Sequence, residues 1–325
     1  MKNRQSRLVF YLPGILILTL AAVILRCLGL ILDFDYISGY YVNGVFSAIA
    51  DWLTVASLIG SLSYLIFGDK GCGLVASYDG AATFIPSLTV GSALLFITVS
   101  LGASLGSQDG RHTVVAIANI IAFVLSAVGA YAFFITAYRT SRKDSSRASV
   151  QIGALLFFAV YAAYIYFDNP LPINAPNRVV DITAYLFFAV FFIYETRISL
   201  GRDMWRAYTA FGLCAVTATA YSAIPSMVVY FSRGVVISHS IYETVLTLSL
   251  FLFVIMRLVR SLFLFEDVEA DVVKAIRFSE QKRAELRAEE INGNVLDAED
   301  SSDGGENYTF ELGQTDENNK KEAEQ

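Results

Sequence analysis

The sequence predicts an all-α integral membrane protein with eight transmembrane helices and with both termini in the cytoplasm. Three observations predict this fold class. First, the 325-residue chain is 55% hydrophobic and 17% charged, with a mean hydropathy of +0.53, far from the composition of soluble domains. Second, eight apolar stretches each approach the roughly 20 residues that a bilayer core requires. Third, the basic residues are unevenly distributed among the loops.

The predicted spans together form a transmembrane domain over residues 1–262. Irregular backbone cannot face lipid, and the apolar stretches are too long to be strands of a membrane barrel. Helices are therefore the remaining structure. The spans are predicted at residues 8–32, 44–67, 81–103, 113–137, 149–167, 180–198, 207–231 and 235–259.

The Lys and Arg content of the loops predicts the orientation. Thirteen basic residues fall on the side that contains both termini, whereas only Arg111, Arg178 and Arg233 fall on the opposite side. Cytoplasmic loops carry the excess of basic residues, so we expect both termini in the cytoplasm. An even number of spans also places the two termini on one side.

The third and seventh spans carry small residues along one helical face, whereas the fifth and sixth spans are rich in aromatic residues. Helices in lipid approach each other through small residues. We therefore expect the third and seventh helices at the bundle centre and the fifth and sixth nearer its periphery. The small residues, which would pack helices or line a solute path, are Ser87, Gly91, Thr98 and Gly102 in the third span and Gly212, Thr219, Ser222 and Ser226 in the seventh.

Equivalent features four helices apart suggest a weak parallel 4+4 repeat. Asp33 follows the first span as Asp168 follows the fifth. Lys70 likewise follows the second span as Arg202 follows the sixth. The Ile-Pro-Ser segments of the third and seventh spans lie near opposite ends of their helices, however, which does not fit a repeat.

Two cytoplasmic segments are predicted after the last span. In residues 263–291, apolar residues recur at helical spacing among charged ones. This pattern predicts an amphipathic and then charged helix at the membrane surface or against a partner protein. Residues 292–325 contain ten acidic residues and two lysines, which is typical of a disordered acidic tail.

Ionisable residues inside a span are costly and by default mark a functional site. Arg26, Asp51 and Glu243 lie at similar depth in the outer half of the first, second and eighth helices, and His239 lies one turn before Glu243. Consecutive antiparallel helices usually touch, so we expect an Arg26–Asp51 ion pair. Two interpretations remain open. The four residues form structural contacts, or they form a ligand-binding or proton site that opens outward.

Motifs for catalysis and for cofactor binding are absent from the sequence. It contains no HExxH, no GxSxG and no Walker-type glycine loop, so we predict neither an enzyme nor a cofactor. Cys27, Cys72 and Cys214 are far apart and form no CxxC pair, so no metal site and no disulfide is predicted. The chain has no concentrated basic face of the kind that binds nucleic acid.

The sequence favours a small-solute or proton-coupled permease with an outward-facing polar site. The alternative is a membrane sensor or accessory subunit that signals to a cytoplasmic partner through its C-terminal helix and tail. The expected partners are the lipid bilayer, a small-molecule ligand and, at the tail, a cytoplasmic protein. Short loops without a large soluble domain favour a multi-pass protein of a bacterial plasma membrane.

Overall fold

A computed structural model describes residues 7–68, 81–105, 113–142, 148–167, 175–200, 204–237 and 240–260. These residues form eight helices and one short β-hairpin. The elements in chain order are α1 (Leu8–Leu32), β1 (Phe34–Asp35), β2 (Tyr40–Tyr41), α2 (Val45–Phe67), α3 (Ala81–Leu105), α4 (Thr113–Arg142), α5 (Ala148–Phe167), α6 (Pro176–Ser199), α7 (Trp205–Arg233) and α8 (Ile241–Arg260).

The helices confirm the coarse prediction of an almost wholly helical protein that can span a membrane. In the part of the chain that the structure describes, seven helices are long and apolar enough to cross a bilayer, and the stretch Gln151–Phe167 of α5 is apolar but shorter. The count of eight spans, the cytoplasmic termini and the 4+4 repeat stay predictions. The helix predicted at 263–291 and the tail at 292–325 lie outside the described residues.

Two helix starts differ from the predicted ones by four residues or more, and each has a local cause. α6 begins at Pro176 rather than at residue 180, because proline is well suited to the first turn, where its missing N–H is not needed. α8 begins at Ile241 rather than at residue 235. Here the Ser240 hydroxyl accepts a hydrogen bond from the Tyr242 backbone N–H at 3.0 Å, and this capping bond fixes the helix start.

α7 lies at the centre of the bundle, as its small residues predict. It is the most buried of the candidate spans, and it packs against α1, α2 and α6. A Cβ built on Gly212 would lie 3.0 Å from Leu258 on α8 and 3.2 Å from Phe191 on α6. The absence of a side chain at Gly212 therefore lets three helices approach closely.

α3 does not share this central position, so its predicted placement is wrong. Three of its four predicted small residues face α4: Gly91 lies against Phe134, Gly102 lies against Phe123, and the Thr98 hydroxyl lies 2.8 Å from that of Ser126. The opposite face of α3 is exposed, with Val99 at 70%. A small-residue stripe specifies close packing with one helix, and one partner at the bundle edge satisfies it.

The predicted peripheral position of α5 and α6 is also wrong. Their aromatic side chains point inward and form the main core with rings from α4 and α8. Phe133 on α4 packs edge-on against Phe158, Phe192 and Phe253. Lipid supplies no hydrophobic force between helices, so van der Waals contact and ring geometry decide this packing.

Candidate functional site

A short β-hairpin joins α1 to α2, and we call this end of the bundle the hairpin end. Phe34 pairs with Tyr41 in the two-stranded sheet. The Ser38 hydroxyl and the Ile37 N–H donate to the Asp35 carboxylate and lower its pKa. This turn places Tyr41 over the ends of the helices, where burial raises its pKa and the nearby Arg26 guanidinium opposes that rise.

Arg26 on α1 is buried beneath the hairpin, with only 2% of its surface exposed. Its Nη2 donates a hydrogen bond of 2.7 Å to the Asn177 side-chain oxygen at the start of α6. Its guanidinium carbon lies 4.3 Å from the centroid of the Tyr221 ring on α7, within the range of a cation–π contact. The partners of this buried cation are thus an amide and an aromatic ring.

Asp51 on α2 lies at the other end of the same tyrosine. The Tyr221 hydroxyl donates to Asp51 Oδ1 at 2.6 Å, and the Ser47 hydroxyl makes a longer contact of 3.5 Å with Oδ2. The expected direct Arg26–Asp51 ion pair is wrong, because the buried Tyr221 stands between the two charges and contacts both. The two helices do bring Arg26 and Asp51 to one site.

A cavity of about 350 Å³ opens beside this Arg26–Tyr221–Asp51 triad. It lies between α2 and α6, with α7 as its floor and Tyr41 near the hairpin. Thr54 and Thr183 add hydroxyl groups to its walls, and the remaining wall is mostly apolar. The volume is within the range of pockets that bind small molecules.

Three hydroxyl groups from different helices meet at the α1–α2–α7 interface. Thr19, Ser57 and Thr217 are buried, and each pair of hydroxyl oxygens is 3.1 Å apart. One turn further along α2, the buried Ser61 continues this polar seam away from the hairpin end. We call these four residues the hydroxyl seam.

Sequence analysis missed the hydroxyl seam, although a signal was present. Thr54, Ser57 and Ser61 recur at spacings of three and four residues along α2, which places them on one helical face. α2 therefore carries a polar stripe like those noted on the third and seventh spans. In α7, the predicted stripe residues Thr219, Ser222 and Ser226 are all buried.

Glu243 does not belong to this cavity, so the predicted four-residue site is divided. Glu243 is buried on α8 and accepts a hydrogen bond from the Tyr161 hydroxyl on α5. One turn further along α8, Thr247 lies 3.1 Å from the Tyr185 hydroxyl on α6. The lateral order of the helices causes this division, because α8 packs with α5 and α6 rather than with α2. His239 lies outside the described residues.

Two charged residues at the start of α6 are buried, and sequence analysis assigned neither to a site. The Arg178 guanidinium donates to the Tyr166 backbone oxygen at the end of α5. Asp181 accepts a hydrogen bond from the Ser222 hydroxyl on α7. The span was predicted to start near residue 180, so both residues fell at its end. A charged residue at the end of a span does not indicate a site inside the membrane.

A buried ion pair lies at the opposite end of the bundle. Arg257 Nη2 on α8 and Glu195 Oε1 on α6 are 3.1 Å apart, and both side chains are almost fully buried. Sequence analysis counted Arg257 only among the basic residues that set the orientation. The contact between α6 and α8 that creates the pair is not visible in either helix alone.

The described residues hold no group of three or more His, Cys, Asp or Glu side chains arranged to bind a metal ion. Cys27 and Cys214, on α1 and α7, are free thiols. The charged and hydroxyl groups of the cavity are those of a site that binds by hydrogen bonds and charge.

No protein-family model, no curated protein and no solved structure matches this chain.

Proposed function

We propose that the protein is a small-solute permease of a bacterial plasma membrane, without enzymatic activity. The cavity beside Arg26, Tyr221 and Asp51, together with the hydroxyl seam beyond its floor, is the observation that carries this proposal. In the proposed orientation the hairpin end faces outward, because the opposite end collects the basic loop residues. The cavity then lies in the outer half of the membrane.

The charges in the cavity support binding rather than only packing. A guanidinium inside a membrane bundle is costly, and such residues mark solute or ion sites by default. A purely structural Arg26 would gain most from direct pairing with a carboxylate. Instead, its partners are neutral, and Asp51 retains exposed surface at the cavity. Both charges therefore remain able to interact with a solute.

The hydroxyl seam supports a path rather than a blind pocket. Thr19, Ser57 and Thr217 satisfy one another and close the bundle below the cavity. A passing solute or water molecule can replace these contacts one at a time, since hydroxyl bonds between membrane helices contribute only about 0.6 kcal/mol on average. In the transport cycle that we propose, the hydroxyl seam opens toward the cytoplasm when the cavity closes toward the outside.

Glu243 is the group that we assign to proton coupling in this proposal. Its carboxylate is buried on α8, and the hydroxyl of Tyr161 donates to it. A buried carboxylate inside a membrane protein is a recurrent element of proton relays. It lies outside the solute cavity, so proton and solute would occupy separate sites in the same bundle.

Cysteine accessibility tests the path directly. In a variant whose three native cysteines are replaced, Thr54→Cys probes the cavity and Ser61→Cys probes the hydroxyl seam. A membrane-impermeant thiol reagent should label Thr54→Cys from outside and Ser61→Cys from the cytoplasmic side. Ser38→Cys, exposed in the hairpin turn, is the matched control and should react from outside only. If Ser61→Cys resists the reagent from both sides while Thr54→Cys reacts, the cavity is blind and the permease proposal fails.

A second candidate function is a membrane sensor or accessory subunit, and the Glu195–Arg257 pair favours it. This pair fixes the end of α8 to α6, and the chain continues from α8 into residues 261–325. The effect of ligand binding in the bundle would then be transmitted to a cytoplasmic partner through that segment.

Deletion of residues 292–325 separates the two candidate functions, with the phenotype of gene loss as readout. A permease retains function without the tail, whereas a sensor loses it.

A further inference from the structure

We propose that the cavity binds an amphipathic zwitterion, a molecule with one anionic group, one ammonium group and an aliphatic chain, which reaches the site from the lipid between α2 and α6. This inference rests on the proposed function and names the solute class of the same site. It follows from the charges at one end of the cavity, from its apolar walls and from the position of its opening.

The two charged residues at the cavity predict a head group of zero net charge. Arg26 and Asp51 are the charged side chains in its lining, and their charges cancel. Arg26 Nε has no hydrogen-bond partner within the described part of the chain, although the side chain is almost fully buried. A ligand carboxylate at Arg26 and a ligand ammonium at Asp51 would pair both charges, and the buried Arg26 would then have a counter-ion.

The walls beyond the charged end fit an aliphatic chain. Val55 and Leu58 on α2 face Val179 and Val180 on α6 across the cavity, and Ala218 on α7 forms the floor. Seven residues separate Asp51 from Leu58, which corresponds to about 10 Å along the helix axis. An aliphatic chain of that length would lie parallel to the helices with its head group at Arg26.

One side of the cavity, between α2 and α6, faces lipid at the depth of the bilayer core. Val55 is 42% exposed and lies near the middle of α2, where exposed surface contacts lipid rather than water. Val179 is 52% exposed on the facing helix. Both valines line the cavity, so the proposed route between α2 and α6 has apolar side chains on both helices.

Competition binding with four probes tests both parts of the proposal. Radiolabelled 2-aminodecanoate is bound to the full-length protein in lipid nanodiscs, and binding to empty nanodiscs is subtracted. The competitors are decanoate, which lacks the ammonium; decylamine, which lacks the carboxylate; and 2-aminobutyrate, which lacks the long chain. We expect 2-aminodecanoate to bind about tenfold or more tightly than each of them.

Variants separate a specific site from partition into the bilayer. Asp51→Asn removes the negative charge, so it should lower the preference for 2-aminodecanoate over decanoate by about tenfold. Misfolding would lower the binding of both probes alike and would leave the ratio of their affinities unchanged. Val55→Trp should block the opening and weaken 2-aminodecanoate binding, whereas Val99→Trp on the exposed face of α3 should not.

Two results would overturn the proposal. If Asp51→Asn leaves the ratio of 2-aminodecanoate affinity to decanoate affinity unchanged, the head-group assignment is wrong. If 2-aminobutyrate binds as tightly as 2-aminodecanoate and Val55→Trp has no effect, the site takes a water-soluble zwitterion from outside. In that second case the amphipathic ligand fails while the permease proposal stands, because cysteine accessibility of Ser61→Cys tests that proposal independently.

Discussion

Tyr221→Phe isolates the hydrogen bond that joins α7 to α2 at the candidate site. The substitution removes the hydroxyl that donates to Asp51 at 2.6 Å, and it keeps the ring over which Arg26 lies. A hydrogen bond to a charged group contributes about 1.5–3 kcal/mol. Asp51 also has exposed surface, which water can reach at the cavity. We therefore expect the lower value, a loss of about 1.5 kcal/mol in the free energy of unfolding.

A double-mutant cycle in lipid bicelles measures this contribution by titration with a denaturing detergent. Tyr221→Phe and Asp51→Ala should show a coupling of about 1 kcal/mol, because the two side chains contact each other directly. Tyr131→Phe is the matched control: its ring is 66% exposed on α4, so its effect should stay within about 0.5 kcal/mol. A coupling below about 0.3 kcal/mol would refute the assigned contact.

Three further predictions concern packing, the buried ion pair and the seam. Gly212→Ala should destabilise the protein by about 1–3 kcal/mol, since side chains on α6 and α8 leave no room for a methyl group. Gly14→Ala is the control and should not destabilise the protein, because no atom lies within 4 Å of a Cβ at that position. Glu195→Gln should cost about 3 kcal/mol because it leaves the Arg257 charge buried without its carboxylate, and a replacement of both residues by apolar ones should recover much of that loss. Ser57→Ala should lower stability by only about 0.6 kcal/mol, and a loss above 2 kcal/mol would mean that the seam is structural rather than a path. The same detergent titration measures all three.

The positions of the helices along the chain could be predicted from the sequence, but their lateral arrangement could not. The bounds of α1 agree with the predicted span at both ends, because apolar length is a local property. The small-residue faces of α3 and α7 were also visible from their periodicity. Which helix each face meets depends on contacts between distant segments, and no local pattern contains that information.

The candidate site was predictable to the same extent. Arg26 and Asp51 could be placed together because their helices are consecutive and antiparallel. Tyr221, which stands between them, and Asn177, which accepts a hydrogen bond from Arg26, come from helices far along the chain. Glu243 was misplaced for the related reason that equal depth in the membrane does not imply proximity.

The central claim is that the Arg26–Tyr221–Asp51 cavity is the ligand site of the bundle. A cryo-electron-microscopy map of the full-length protein in lipid nanodiscs with 2-aminodecanoate tests it most directly. We expect ligand density with its head group between Arg26 and Asp51 and its chain between α2 and α6. Ligand density at another face of the bundle, with the cavity unchanged from the map without ligand, would contradict it.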